Sequence, residues 1–84
     1  MSITFSTLAW EDYQYWAKCD KKKLDRINKL IKESFRLPFE GLGKPELLKL
    51  ILQRFWSRRI GEEHGLIYAF EDGKLLIVAC KHHY

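Results

Sequence analysis

The chain has 84 residues, of which 46% are hydrophobic and 14% aromatic; it is too rich in core formers to be disordered and too short for two cores. Its formal net charge of +4 favours an anionic partner: RNA, DNA, an acidic protein or an anionic membrane surface. Cys19 and Cys80 lack the spacing of a zinc site or redox dithiol and read as buried, reduced thiols of a cytosolic domain. "MSITFSTLAW" has neither the basic start nor the apolar stretch of a signal peptide, and no segment has the length of a membrane span.

The elements follow in order. "SITF" is β-prone and opens the sheet. Ser6 or Thr7 then caps a first helix, with Glu11 and Asp12 in its first turn and Lys18 near its end, as the helix dipole favours. Trp10, Tyr13, Trp16 and Ala17 recur at helical spacing and are expected to form its buried face. Asp20 caps a second helix over roughly residues 21–36, where Leu24, Ile27, Leu30, Ile31 and Phe35 make an apolar stripe. Lys21, Lys22, Lys23, Arg26, Lys29, Lys32 and Arg36 dominate its other faces. They are either a solvated surface or a track for a phosphate backbone.

Pro38, Gly41, Gly43 and Pro45 end this helix in a turn-rich connection without the spacing of a phosphate-binding loop. "ELLKLIL" fits a short helix or an extended segment equally well. "FWSRRI" alternates, with Phe55, Ser57 and Arg59 on one side and Trp56, Arg58 and Ile60 on the other. "HGLIYAF" and "KLLIVACKHHY" complete an antiparallel meander, joined at Asp72-Gly73, a two-residue hairpin signal. Two early helices and a late meander make an α+β fold, with the helices on one face of the sheet and the other face partly open.

The groups near that sheet able to do chemistry are Glu46, Lys49, Arg58, Arg59, Glu62, Glu63, His64, His82 and His83, with Tyr84 beside them. Phosphodiester cleavage in RNA needs a base for the 2′-OH proton, a cation for the phosphorane and an acid for the departing 5′-oxygen, and requires no metal. Histidine, with an ordinary pKa of about 6.5, suits the acid, whereas a carboxylate at about 4.3 is a modest base unless its surroundings raise it. Plainer readings stand beside these: Glu46 as a surface acid, His82 and His83 as a solvated strand end or weak metal site, Tyr84 as an edge of the core. On these residues alone the chain is a basic α+β domain directed at nucleic acid.

"WEDYQYW", "PFEGLGKPE", "FWSRRI", "EEHGLIYAF", "LLIVAC" and the final "HY", in this order over the whole chain, resemble the YoeB toxins of the bacterial RelE/ParE superfamily. The resemblance implies one RelE-like domain over residues 1–84, two N-terminal helices packed on a curved antiparallel β-sheet. It implies a cytoplasmic toxin that cuts mRNA in the ribosomal A site without a cofactor. A YefM-type antitoxin would neutralise it, and the toxin would reach operator DNA only within the antitoxin complex. Relatives also form homodimers.

Matched to the family's motifs, Glu46 is the general base, His83 the general acid and Tyr84 the aromatic that positions the nucleotide. Lys49 and Arg59 are basic residues around the phosphate, and the basic helix faces ribosomal RNA. The chain departs from the family's "EEHR" at Gly65, where the family uses an arginine to stabilise the scissile phosphate. Loss of one such donor costs roughly a hundred- to a thousandfold in rate. Arg59 is the residue able to compensate in part. A strict two-residue turn at Asp72-Gly73 pairs position 65 with 80, so that His82 and Tyr84 share its face and His83 points away. His83 reaches that face only with a longer loop or a β-bulge. Two other functions remain open: a ParE-like inhibitor of DNA gyrase that cleaves nothing, and an antitoxin-binding module without catalysis.

Overall fold

A computed structural model of the chain describes residues 2–49 and 54–82. Strand β1 (Ser2–Phe5) leads into helices α1 (Thr7–Cys19) and α2 (Lys21–Arg36). Strands β2 (Glu46–Leu47), β3 (Trp56–Arg59), β4 (Gly65–Glu71) and β5 (Lys74–Ala79) follow. They form one five-stranded sheet in the order β1-β5-β4-β3-β2. The sheet is mixed rather than antiparallel throughout, because β1 pairs with β5 in parallel. A parallel pair requires a crossover connection, and here the chain leaves β1 through both helices before it returns. The ambiguous "ELLKLIL" begins as β2, and its positions 50–53 lie outside the described residues.

Local signals set the helix boundaries. The Ser6 hydroxyl accepts the Ala9 N–H at 3.0 Å, and the Asp20 carboxylate accepts that of Lys23 at 3.2 Å. Each thereby satisfies an amide that the first helical turn leaves open. Ser6, not Thr7, is therefore the cap, and Glu11 and Asp12 lie beyond the first turn. The buried face of α1 also differs from the expectation: Ala9, Asp12 and Trp16 point inward, while Trp10 and Ala17 are exposed and Tyr13 half-buried. Trp10 instead stacks on Tyr13 (centroids 6.0 Å apart) and meets the edge of Phe5 outside the core. The reason is polar, because Asp12 turns inward to accept the N–H of Cys80 at 3.0 Å.

α2 follows its apolar stripe. Ile27, Leu30 and Ile31 pack with Ala9 and Trp16 over Leu66, Tyr68, Leu75, Ile77 and Cys80 of the sheet. Burying each large aliphatic side chain contributes about 1.5–3 kcal/mol, and truncating Leu30, which is wholly buried, would cost about 2–5 kcal/mol. Gly43 approaches this layer so closely that an added Cβ would lie 2.8 Å from Leu30 Cδ2, and its φ of +84° suits glycine. No described helix is long and apolar enough to cross a membrane.

The hairpin turn has two residues, Asp72 (φ 52°) and Gly73 (φ 73°), with Glu71 paired to Lys74. Positive φ at both central positions is the turn whose twist matches flanking strands. The register then breaks. Tyr68 pairs with Ile77 but Ile67 with Ala79, so Val78 is the extra residue of a β-bulge. Ser6 donates its hydroxyl to the Val78 carbonyl at 2.7 Å, so one side chain both caps α1 and holds the bulge.

Candidate functional site

The face of the sheet opposite the helices carries three of the sequence-predicted residues, Glu46, Arg59 and Gly65. Glu46 pairs with Ser57, Ser57 with Ile67, and Arg59 with Gly65. Cross-strand partners project to the same side, as do residues two apart on a strand. Glu46, Ser57, Arg59 and Gly65 therefore share one face across β2, β3 and β4, with Glu46 and Arg59 exposed. Lys49 is exposed, two residues past the end of β2. His83 and Tyr84 lie outside the described residues, as does the direction in which His83 points.

The alternation of "FWSRRI" holds, but Arg58 does no chemistry here. Its side chain is fully buried on the helix side. Nε donates to the Tyr68 hydroxyl at 3.0 Å, Nη1 to the Leu42 carbonyl at 2.7 Å, and Nη2 to the carbonyls of Leu37 and Glu40. Tyr68 donates in turn to the Pro38 carbonyl at 2.7 Å. One guanidinium thus secures the turn that Pro38, Gly41 and Gly43 create, and that turn precedes Glu46. Burial pushes the Tyr68 hydroxyl above its ordinary pKa, opposed by the adjacent guanidinium. Arg59 is held through its backbone: its N–H donates to the Gly43 carbonyl at 2.6 Å, and its carbonyl accepts from Arg26 at 3.2 Å. The Arg59 side chain is left exposed to this face.

Gly65 is buried, and an added Cβ would sit 2.9 Å from Ser57 Oγ and 3.8 Å from the His82 carbonyl. A larger residue fits only if Ser57 rotates about its single side-chain torsion. The bareness of this position therefore has a packing counterpart that strand propensity does not reveal. The Gly65 N–H donates to the His82 carbonyl at 2.7 Å, so the backbone partner of position 65 is 82 rather than 80. The short turn is kept and β5 carries a bulge at Val78, while the direction in which His83 points lies outside the described residues.

Cys80 is gripped by α1. Its N–H donates to Asp12, Trp16 Nε1 donates to its carbonyl at 2.7 Å, and its thiol contacts the Ala9 carbonyl at 3.7 Å. Burial, reinforced by the Asp12 carboxylate, pushes this thiol up to about 12. Cys19, expected to be buried as well, is exposed at the end of α1. The hold of Asp12 and Trp16 on the terminal strand escapes a reading of the sequence, because it spans 68 and 64 residues and no local pattern announces it.

A cleft of 380 Å³ lies between the helices and the loop that joins β3 to β4, lined by Trp16, Asp20, Lys23, Glu63 and His64 among others. A second, of 270 Å³, opens near the hairpin between Arg54, Ala69, Asp72 and Leu76. Neither is lined by Glu46 or Arg59, which lie on the open face of the sheet. On α2, Lys21, Lys22, Lys29 and Lys32 are exposed, whereas Lys23 pairs with Asp20 at 3.3 Å and Arg36 with Glu33 at 2.9 Å.

Residues 5–84 match the family model described as a YoeB-like toxin of bacterial type II toxin-antitoxin systems. Toxin YoeB of Escherichia coli (strain K12) is 55% identical over 84 residues, covering all of both chains. Among solved structures, the YoeB dimer from Staphylococcus aureus superposes with a TM-score of 0.94 at 47% identity, covering 100% of this chain and 98% of that one. The heterotetrameric YoeB-YefM complex from the same organism gives 0.92 at 48% identity, covering 98% and 95%. The chain, with its two helices on a five-stranded sheet, belongs to the YoeB-like toxins of bacterial type II toxin-antitoxin systems.

Proposed function

We propose that this chain is a ribosome-dependent mRNA endoribonuclease whose cleavage step is attenuated at Gly65. The observation that carries the reading is the shared face of Glu46, Arg59 and Gly65, together with the hold of Gly65 on His82, the residue before His83. In the reaction, the Glu46 carboxylate takes the proton of a ribose 2′-OH. The 2′-oxygen bonds to phosphorus as the bond to the 5′-oxygen breaks, and His83 protonates that leaving oxygen. The products are a 2′,3′-cyclic phosphate and a free 5′-OH. Arg59 and Lys49 offset the charge that gathers on the phosphorane. Tyr84 stacks on a base next to the cut, as RNA readers commonly do.

Gly65 stands where the family's arginine would meet the same phosphate, and it offers no side chain for the purpose. The domain works as one unit over residues 1–84, in the cytoplasm, and needs no cofactor. The exposed lysines of α2 dock it on ribosomal RNA, where phosphate charge dominates affinity. A YefM-type antitoxin neutralises it, as the complex formed by the Staphylococcus aureus relative suggests, and operator DNA is reached only through that complex. The dimer of the same relative supports a homodimer of this chain.

The test adds this protein and its Gly65→Arg variant to translating ribosomes and maps the mRNA ends by primer extension. New ends within the A-site codon, stronger with the variant, are expected. Ribosome binding without cleavage by either protein would leave only a binding module, and capture of gyrase without ribosomes would favour the inhibitor.

A further inference from the structure

The backbone of the terminal segment is gripped at every second residue. Ser6 holds Val78, and Asp12 with Trp16 holds Cys80. At His82 the N–H donates to His64 Nδ1 at 2.7 Å, and the carbonyl accepts the Gly65 N–H at the same distance. The first two grips belong to α1 and also serve the core. The third comes from His64, in the loop between β3 and β4, and from Gly65 at the start of β4, and it holds a residue that is itself exposed.

His82 has a φ of +64°, a left-handed conformation that a side chain other than glycine rarely adopts. Such a backbone persists only where its surroundings over-determine it, and here the two hydrogen bonds bracket it on both sides. The acceptor is itself oriented. The His64 ring meets the Trp16 ring edge-on, with centroids 4.8 Å apart, and the indole of Trp16 simultaneously binds the Cys80 carbonyl. To accept at Nδ1, His64 must keep its lone pair there, so its ring proton sits on Nε2.

We propose that His64 is a positioning residue for the cleavage reaction: by accepting the His82 N–H, it fixes the backbone from which the acid His83 departs. The inference rests on the ribonuclease reading for its consequence in rate, but the clamp itself is measurable without any cleavage. In this scheme His64 acts through the backbone of His82. Its contribution is to hold the acid's starting point within the narrow range that proton transfer tolerates, where a misplacement of about 1 Å can cost about a hundredfold.

Two substitutions separate this role from simple support of the fold. His64→Phe keeps a ring against Trp16 but removes the acceptor. His64→Asn gives up the ring but presents a carbonyl oxygen close to where Nδ1 lies. In this chain, the His82 amide is followed by NMR hydrogen exchange. It should be protected in the parent, exchange at least about tenfold faster in the Phe variant, and regain protection in the Asn variant. In the Gly65→Arg background, single-turnover cleavage over a range of ribosome concentrations gives the kinetic arm. The Phe variant should lose about 10–100-fold in the saturating rate with an unchanged half-saturating concentration, and the Asn variant should recover most of that loss. An unprotected His82 amide in the parent would overturn the proposal, as would a Phe variant that cleaves at the parent's rate. Cleavage by none of the proteins would sink the ribonuclease reading and the kinetic role with it, while the amide comparison still decides the clamp.

Discussion

Removing the Arg58 guanidinium should destabilise the protein far more than removing a surface charge would. Arg58→Met keeps much of the buried stem but removes the donor to the Tyr68 hydroxyl, which retains its bond to the Pro38 carbonyl, and orphans the carbonyls of Leu37, Glu40 and Leu42. A hydrogen bond to a charged donor is worth about 1.5–3 kcal/mol. Leu37, Glu40 and Leu42 are not buried, so water can replace part of the loss. Counting two of the four bonds at full weight gives about 3–6 kcal/mol, a large share of the roughly 5–15 kcal/mol that holds a small domain together. For a chain of this size, each kcal/mol moves the midpoint by about 4–8 °C, so the melting temperature should fall by at least about 12 °C. Thermal unfolding followed by circular dichroism measures the fall, and hydrogen exchange at residues 37–43 shows whether that turn loosens first. Arg58→Lys should remain well below the parent, since one ammonium cannot span acceptors set for a planar fork. A melting temperature within about 3 °C of the parent for Arg58→Met would refute the reasoning.

The two thiols should separate cleanly. Cys19 should react with iodoacetamide at pH 8 and Cys80 should not until the protein is unfolded, which intact mass spectrometry would count. Because burial raises the Cys80 thiol to about 12, the native state keeps its proton more tightly than the unfolded chain does. Its contribution is intact below the ordinary thiol value of 9.0 and is lost as pH rises from there through about 12. Urea midpoints should therefore decline across that window, and a Cys80→Ala variant should show a shallower decline. Replacing Lys22, Lys29 and Lys32 by Gln should leave stability within about 0.5 kcal/mol while weakening ribosome association. A salt titration of sedimentation should then show a shallower slope, by up to about one for each phosphate that is no longer neutralised; an unchanged slope would remove α2 from the RNA interface.

The parts legible in the sequence are those written locally. The caps at Ser6 and Asp20, the stripe of α2, the break at Pro38 and the Asp72-Gly73 turn each rest on residues within a few positions of one another. The alternation of β3 is equally local, and it correctly puts Ser57 and Arg59 on one face. What escapes is non-local. Parallel pairing of Ser2–Phe5 with β5 joins the two ends of the chain, and no propensity encodes it. Asp12 reads as a helix-start acid because its partner, the Cys80 amide, lies 68 residues away. Arg58 reads as a candidate for chemistry because sequence carries the charge but not the four acceptors waiting for it. The bulge at Val78 is visible only as one of two remedies for a register conflict; the hydroxyl of Ser6 that holds it belongs to another element.

The central claim is that the scaffold is a ribonuclease and that position 65 sets its rate. The most direct measurement is the single-turnover rate constant for cleavage of a defined A-site codon at saturating ribosome, for this chain and for Gly65→Arg. Restoring one positioned donor should raise the rate about a hundred- to a thousandfold, equivalent to about 2.7–4 kcal/mol of transition-state stabilisation. The Cβ contact with Ser57 predicts that the gain is largest when Ser57→Ala accompanies the change. Equal rates for this chain and Gly65→Arg would contradict the claim and assign the phosphate charge to Arg59.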